Sequence, residues 1–319
     1  MSAVAILGAG AFGTAMAVTL AREGQDITLW TRDPDHANEM SRSRVNLARL
    51  PHVELPDTLR ITSDLGRIRA DCLLVAVPAQ ALGGFLADTG EALDGRTLVS
   101  CAKGIDRTTG LRPSELLAHA CPAARIAALT GPSFAEDIAA GLPTALTLAI
   151  ATDGEALQHR LSTPGLRLYL THDLVGAELG GALKNVIALA AGITVGAGLG
   201  ESARAAVVTR GFAEITRFAV SCGAEAETLM GLSGLGDLLL TCTSPKSRNY
   251  AAGLAIGAGR AVAPGVTVEG LATAEAVNDV ATARGIDMPL AATVAAVSHG
   301  GLSVAEAADH LMSRPLRKE

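Results

Sequence analysis

Aromatic residues are nearly missing: one Trp, two Tyr and five Phe make up 3% of 319 residues. A core without them has to be built from Ala, Val, Leu and Ile. Charge is sparse too, at 18%, and leans acidic, with 26 Lys and Arg against 32 Asp and Glu and a net charge of −6. That excludes a general nucleic-acid binder, which needs a basic face to displace counterions, but not a local basic pocket. No C-x-x-C pair occurs among Cys72, Cys101, Cys121, Cys222 and Cys242, and their odd number fits a reducing compartment better than a disulfide framework. The scattered histidines show no H-x-x-H or H-E-x-x-H spacing, so no metal is expected. There is no G-x-S-x-G elbow, which weakens a hydrolase reading. The glycines follow no three-residue period, which rules out collagen. Met1 to Leu7 lacks the basic start of a signal peptide. The longest apolar stretch, Val186–Gly200, is short, broken by glycines and preceded by Lys184-Asn185. It reads as a buried helix rather than a membrane span. The expectation is a soluble, cytoplasmic protein.

What is present is apolar residue in quantity, 49%, enough for a sizeable core, and a length that suggests two domains. In the first half, short apolar runs alternate with helical stretches. Strands are expected at Ala3–Leu7, Ile27–Trp30, Cys72–Val77, Thr97–Ala102, Ile126–Thr130, Thr144–Ile150 and Leu166–Thr171, with a helix at Ala11–Arg22. Such alternation implies a parallel sheet covered on both faces, with right-handed crossovers. After about His172 the pattern turns helical, over Leu174–Val195, Ser202–Cys222, Glu225–Leu229, Arg248–Gly257, Gly270–Arg284 and Pro289–His299. The fold class is therefore α/β: an N-terminal Rossmann-type doubly wound sheet, residues 1–175, followed by an all-helical C-terminal domain, residues 176–319. The boundary falls within Thr171–Gly176. No internal repeat is seen, and Arg314–Glu319 reads as a frayed end.

Gly8-Ala9-Gly10-Ala11-Phe12-Gly13 fits G-x-G-x-x-G directly after the first strand and at the opening of the first helix. Gly8 permits the tight turn, Gly10 lets backbone amides reach a pyrophosphate, and Gly13 allows close helix–sheet packing. The positive end of that helix then holds the anion. A purely structural turn, an FAD protein and a methyltransferase share this motif. The second strand ends Trp30-Thr31-Arg32-Asp33. Arg32 at the strand tip suits a 2′-phosphate, which favours NADPH over NADH, unless it is only a solvated charge. Lys103 follows the strand ending Cys101-Ala102, in the crevice region of an open sheet. Gly131-Pro132-Ser133-Phe134-Ala135 follows another strand; Ser133 suits a helix cap and a ligand contact equally.

In the helical half, Glu178–Asn185 opens the most apolar helix. A buried lysine there needs a partner, and desolvation draws its pKa toward neutrality, as a proton shuttle requires. The rival reading is a lysine that snorkels to water. Gly231–Asp237 reads as a second glycine-rich loop. Asp237 is placed to orient Lys184, to accept a substrate hydroxyl or to cap the next segment. Ser247-Arg248-Asn249 at a helix start suits a phosphomonoester, or else a solvated N-cap. Val268-Glu269-Gly270 is a further loop candidate.

Together, Gly8–Gly13 with Thr14, Ala102-Lys103-Gly104, Gly131–Ala135, Glu178–Asn185, Gly231–Asp237, Ser247-Arg248-Asn249 and Val268-Glu269-Gly270 resemble the bacterial NAD(P)-dependent sn-glycerol-3-phosphate dehydrogenases over essentially the full length. The resemblance implies reversible reduction of dihydroxyacetone phosphate to sn-glycerol 3-phosphate with NADPH or NADH, feeding phospholipid synthesis, in a homodimer. It implies Lys184 as the proton acceptor. It implies Lys103, Gly131, Ser133, Lys184, Asp237, Ser247, Arg248 and Asn249 as substrate positions. Gly8, Gly10, Ala11, Phe12, Gly13, Arg32, Lys103, Ala135, Arg248 and Glu269 stand at cofactor positions. The family often has Ser where Ala11 stands, so a side-chain bond to phosphate is absent here while the backbone contact survives. A related β-hydroxyacid dehydrogenase, whose substrate carboxylate would occupy the same Ser-Arg-Asn cluster, and a non-catalytic nucleotide sensor are the alternatives.

Overall fold

A computed structural model describes residues 3–262 and 268–313; the expected frayed end, Arg314–Glu319, lies outside the described residues. The chain divides into two compact units, 1–103 with 112–177, and 104–111 with 178–319.

The first unit contains β1 (Val4–Leu7), β2 (Ile27–Trp30), β3 (Val45–Asn46), β4 (Leu50–Glu54), β5 (Arg60–Thr62), β6 (Cys72–Val75), β7 (Thr97–Ser100), β8 (Arg125–Thr130), β9 (Thr144–Ile150) and β10 (Leu166–Thr171). Its helices are α1 (Ala11–Arg22), α2 (Pro34–Ser43), α3 (Ala79–Leu93), α4 (Pro113–Ala120), α5 (Ala135–Ala139) and α6 (Glu155–Leu161). Eight strands form one sheet in the order β10-β9-β8-β7-β6-β1-β2-β5. The order reverses between β1 and β6, and the turn after β1 therefore stands at the topological switch point where open α/β sheets bind ligands. β1 and β6 are buried at every residue, as central parallel strands covered on both faces must be.

One stretch of the sheet departs from the all-parallel expectation. β9 runs antiparallel to β8, and β10 runs parallel to β9. The connector between β8 and β9 carries only the five-residue α5. At about 1.5 Å per residue that helix is too short to return the chain along a strand about 20 Å long, so β9 starts from the end at which β8 finishes. The β3–β4 hairpin and β5 are absent from the sequence reading because they are short and partly exposed.

Among the described residues, the 178–313 portion is helical throughout. α7 (Leu174–Gly196) starts in the first unit and continues into the second. It is followed by α8 (Glu201–Ser221), α9 (Ala226–Met230), α10 (Asp237–Thr243), α11 (Arg248–Gly257), α12 (Glu269–Arg284), α13 (Pro289–Ser298) and α14 (Val304–Met312). Glycine takes the place of aromatics in packing this unit. A Cβ on Gly192 or Gly196 of α7 would lie 2.2 or 2.4 Å from a carbonyl oxygen of α11, and one on Gly253 or Gly257 of α11 would lie 2.2 Å from a carbonyl oxygen of α7. Both pairs are spaced i, i+4, so each helix offers one smooth ridge and the two backbones meet directly. By length and hydropathy α7 is apolar enough to cross a membrane, but most of it is buried inside the protein, as in a core helix.

The segment expected as a second glycine-rich loop is helical. Leu232–Gly236 forms a wide π-type turn closed by the Gly236 amide on the Gly231 carbonyl at 3.1 Å, and it runs straight into α10. Its glycines serve packing: a Cβ on Gly234 would lie 2.0 Å from the Leu229 oxygen, and one on Gly180 of α7 would lie 2.8 Å from the Ser233 oxygen. Sequence alone does not separate a glycine that frees a loop from one that admits a neighbouring backbone.

A buried carboxylate holds the far end of this unit. Glu214 of α8 accepts the Leu290 amide at 2.9 Å and the Ala291 amide at 3.4 Å, capping α13, whose own N-cap residue, Met288, offers no side-chain bond. Burial pushes the Glu214 carboxyl up from 4.5 to about 7 despite those amides, which pull it down. Because the folded value lies above the unfolded one, the stabilisation is complete below the unfolded value and is lost as pH rises through 7. Thermal melts across pH 5 to 8 should show the wild type losing about 3 kcal/mol more than Glu214→Gln. Parallel pH profiles would show that Glu214 ionises without cost.

Candidate active site

In the first unit the turn after β1 is shaped by glycines with different reasons to be there. Gly8 has φ +121°, and a Cβ on it would lie 2.6 Å from the Ala76 oxygen; one on Gly13 would lie 2.1 Å from the Gly8 oxygen. Both are required by the fold. A Cβ on Gly10 would meet nothing within 4 Å, so nothing in the protein requires a glycine there. Gly10 is also the N-cap of α1 and makes no side-chain cap bond, which leaves the first amides of a 12-residue helix, at Ala11, Phe12 and Gly13, without one. An open glycine before uncapped amides is the shape a pyrophosphate needs. At the tip of β2, the Asp33 carboxylate is engaged as N-cap of α2, accepting the Asp35 amide at 2.9 Å. Arg32 beside it is exposed and has no hydrogen bond or ion pair among the described residues. The pair fits a 2′-phosphate better than a ribose diol that needs a carboxylate. These residues fit a nicotinamide dinucleotide.

Two further strand tips of this unit come together. The Lys103 ammonium after β7 donates to the Gly131 carbonyl after β8 at 3.1 Å. Gly131 holds φ +137°, a conformation open to glycine but not to side chains. Ser133 is not the cap of α5; that position is Phe134, and the Ser133 hydroxyl donates to the Gly131 carbonyl at 3.4 Å. Ala135 is the first residue of α5.

In the second unit Lys184 is 7% exposed, so the snorkelling reading does not hold. Its ammonium donates to Asp237 Oδ1 at 2.5 Å and Thr241 Oγ1 at 2.7 Å. Asp237 is fully buried at the start of α10, and one helical turn later the Thr241 hydroxyl donates to the Asp237 carbonyl oxygen at 2.6 Å. That back-bond fixes the hydroxyl so that its lone pair faces the lysine. Thr241 is missed by the sequence reading; its only signal is the i, i+4 spacing to Asp237, visible once the helix start is known.

The next residue on α7 faces another set. Asn185 donates to Glu269 Oε2 at 3.3 Å, and Arg248 reaches Glu269 Oε1 at 3.5 Å. Asn249 accepts the Gly270 amide at 2.8 Å, and a Cβ on Gly270 would lie 2.5 Å from the Asn185 oxygen. Ser247 caps α11, accepting the Tyr250 amide at 3.2 Å. Ser247 is therefore an N-cap, but a buried one rather than a solvated one. Arg248, with its side chain 60% exposed, presents a guanidinium at that same end. Glu269 opens α12 rather than sitting in a loop. Burial pushes the Cys72, Cys101 and Cys242 thiols up to about 12, too high to serve as nucleophiles.

Family models described as the N-terminus and C-terminus of NAD-dependent glycerol-3-phosphate dehydrogenase match residues 3–156 and 173–309. The chain belongs to the NAD-dependent glycerol-3-phosphate dehydrogenase family. Relatives named glycerol-3-phosphate dehydrogenase (NAD(P)+) are 58% identical in Paracoccus denitrificans, over 99% of each chain, and 57% identical in Cereibacter sphaeroides, over 99% of this chain and 100% of the relative. Among solved structures, the glycerol-3-phosphate dehydrogenase of Coxiella burnetii superposes with a TM-score of 0.93 at 37% identity, covering 98% of this chain and 99% of that one.

The Lys184–Asp237 pair gives this family member a measurable dependency. Removing one partner of a buried ion pair leaves the other charge uncompensated. Asp237→Asn should therefore lower unfolding stability by about 3–5 kcal/mol in denaturant titrations. A change under about 1 kcal/mol would mean that the ammonium is solvated in solution.

Proposed function

We propose that this chain catalyses reversible hydride transfer between NAD(P)H and dihydroxyacetone phosphate, giving sn-glycerol 3-phosphate. The observation that carries this is a buried ammonium, Lys184, aimed by two buried oxygens, in a unit that also presents Arg248 and Ser247 at a helix start. Residues 1–175 hold the cofactor: the α1 amides with Gly8, Gly10, Ala11, Phe12 and Gly13 take the pyrophosphate, and Arg32 takes a 2′-phosphate, so NADPH is preferred. Lys103 and Ala135 at the strand tips, with Arg248 and Glu269, complete the cofactor contacts. Residues 176–319 supply most of the substrate contacts. Arg248, Ser247 and Asn249 grip the phosphate through a guanidinium fork, a hydroxyl, an amide and a helix end. Lys103, Gly131 and Ser133 meet the rest of the substrate.

When bound, the nicotinamide supplies the hydride to the carbonyl carbon. The Lys184 ammonium polarises the carbonyl oxygen and gives it a proton as charge develops there; in reverse its amine takes the hydroxyl proton. Asp237 balances the ammonium charge, and Thr241 fixes its direction. Asn185 ties Glu269 of α12 to α7, so this cofactor contact is anchored on the residue next to the proton donor. Grip on the phosphate, remote from the reacting carbon, positions that carbon. The product's use in phospholipid synthesis, a cytoplasmic location and a homodimer complete the reading.

NADPH oxidation with dihydroxyacetone phosphate, followed by absorbance, is the direct assay. Lys184→Ala should lower kcat by orders of magnitude with little change in cofactor affinity, and near-normal turnover would remove Lys184 from the chemistry. Arg32→Ala should raise KM for NADPH far more than for NADH; equal effects would remove the 2′-phosphate contact.

A further inference from the structure

Asn46 lies outside every motif above, and it is fully buried. Its amide nitrogen donates to the Ala9 carbonyl at 3.0 Å and to Thr14 Oγ1 at 2.8 Å. Ala9 stands between Gly8 and Gly10, and Thr14 is in the first turn of α1. A carbonyl only accepts, so the atom facing Ala9 has to be the NH2 group, which fixes which way the Asn46 amide points. Its oxygen then faces His36 Nε2 of α2 at 3.0 Å. That nitrogen has to carry a proton and donate.

We propose that Asn46 is the positioning residue of the cofactor's pyrophosphate loop, held in its orientation by His36. The argument rests on the reading of Gly8–Gly13 as the pyrophosphate site. The Ala9–Gly10 peptide is planar and trans, so its C=O and N–H point in opposite directions. Holding the Ala9 oxygen on Asn46 therefore aims the Gly10 amide away from Asn46. This peptide turns about Ala9 ψ and Gly10 φ, and Gly10 has no steric neighbour to restrain it. Asn46 removes the freedom that Gly10 gives. The hairpin that carries it is irregular at this point: β3 is two residues long, its register slips between Val45 and Asn46, and Arg44 before it takes a positive φ of 52°. The Arg44 guanidinium holds that turn by donating to the Leu59 carbonyl at 3.1 Å. His36 sits one turn into α2, whose cap, Asp33, is next to Arg32. The segment proposed to read the 2′-phosphate and the loop proposed to hold the pyrophosphate thus share one hydrogen-bond chain, buried at the Asn46 end and half-buried at His36.

The test is calorimetric titration of NADPH into the intact wild-type chain and into Asn46→Asp, His36→Ala and His36→Gln, with melting temperatures and steady-state kinetics on each. Asn46→Asp keeps the shape but sets a carboxylate oxygen against the Ala9 carbonyl; Kd for NADPH should rise about tenfold or more. KM for NADPH should follow it, while KM for dihydroxyacetone phosphate and kcat at saturating cofactor stay within about twofold, a split that general destabilisation does not give. His36→Ala should show a smaller rise, about threefold, and His36→Gln, whose amide also donates, should restore binding. Wild-type Kd in both Asn46→Asp and His36→Ala would overturn the proposal, and if Asn46→Asp does not fold, His36→Ala against His36→Gln decides alone. A wild-type chain that binds neither NADPH nor NADH would instead overturn the cofactor reading on which the proposal stands.

Discussion

An ammonium taken out of water, with a carboxylate to balance it, is the constraint from which the rest of the second unit follows. Lys184 and Asp237 are 53 residues apart in sequence and 2.5 Å apart in space. Desolvating two charges costs several kcal/mol each and is offset only by close geometry and further hydrogen bonds. The structure supplies both: Thr241 adds an oxygen to the ammonium, and its own hydroxyl proton is absorbed by the Asp237 backbone. A hydrophobic pair would hold these helices together at least as well, so the charged pair is better explained by chemistry than by stability. The same pre-set direction that makes it expensive makes it useful to a developing alkoxide, because no reorganisation is needed when charge appears.

The near absence of aromatics finds its explanation in the same region. A helix that has to bring Lys184 and Asn185 to two different neighbours needs those neighbours close. Glycines at i, i+4 on α7 and α11 allow backbone-to-backbone contact, which large side chains would prevent. Gly180 does the same toward the Ser233 turn, Gly234 toward the Leu229 carbonyl of α9, and Gly270 toward the Asn185 carbonyl. The site residues are short-range consequences of this packing: once α7 touches α11 and the start of α12, Asn185, Glu269, Arg248 and Asn249 have few other partners to choose.

Legibility in the sequence tracked the range of the interaction. Gly8–Gly13 was readable because strand, turn and helix follow one another within a few residues, each with local chemistry. The seven strand positions and the helical second half were readable from runs and periodicity. Lys184 was noticeable as a charge on an apolar helix and Asp237 as one candidate to orient it, among three roles left open, but no local pattern ties residue 184 to Thr241. The reversal of β9 depended on the length of α5, which apolar content does not reveal. The stretch Gly231–Gly236 misled because glycine is equally at home in a loop and in a tight helix contact. The cap reading of Ser133 failed because its helix begins one residue later than its own position suggests. Asn46 was invisible, being a single polar residue in a two-residue strand whose importance lies entirely in what it touches.

The most direct test of the central claim is a structure with NADP+ and sn-glycerol 3-phosphate bound together. The account predicts the Lys184 Nζ within about 3 Å of the C2 hydroxyl oxygen, with its Asp237 contact kept. An ammonium still turned wholly to Asp237 and Thr241, with the hydroxyl held by some other group, would contradict it.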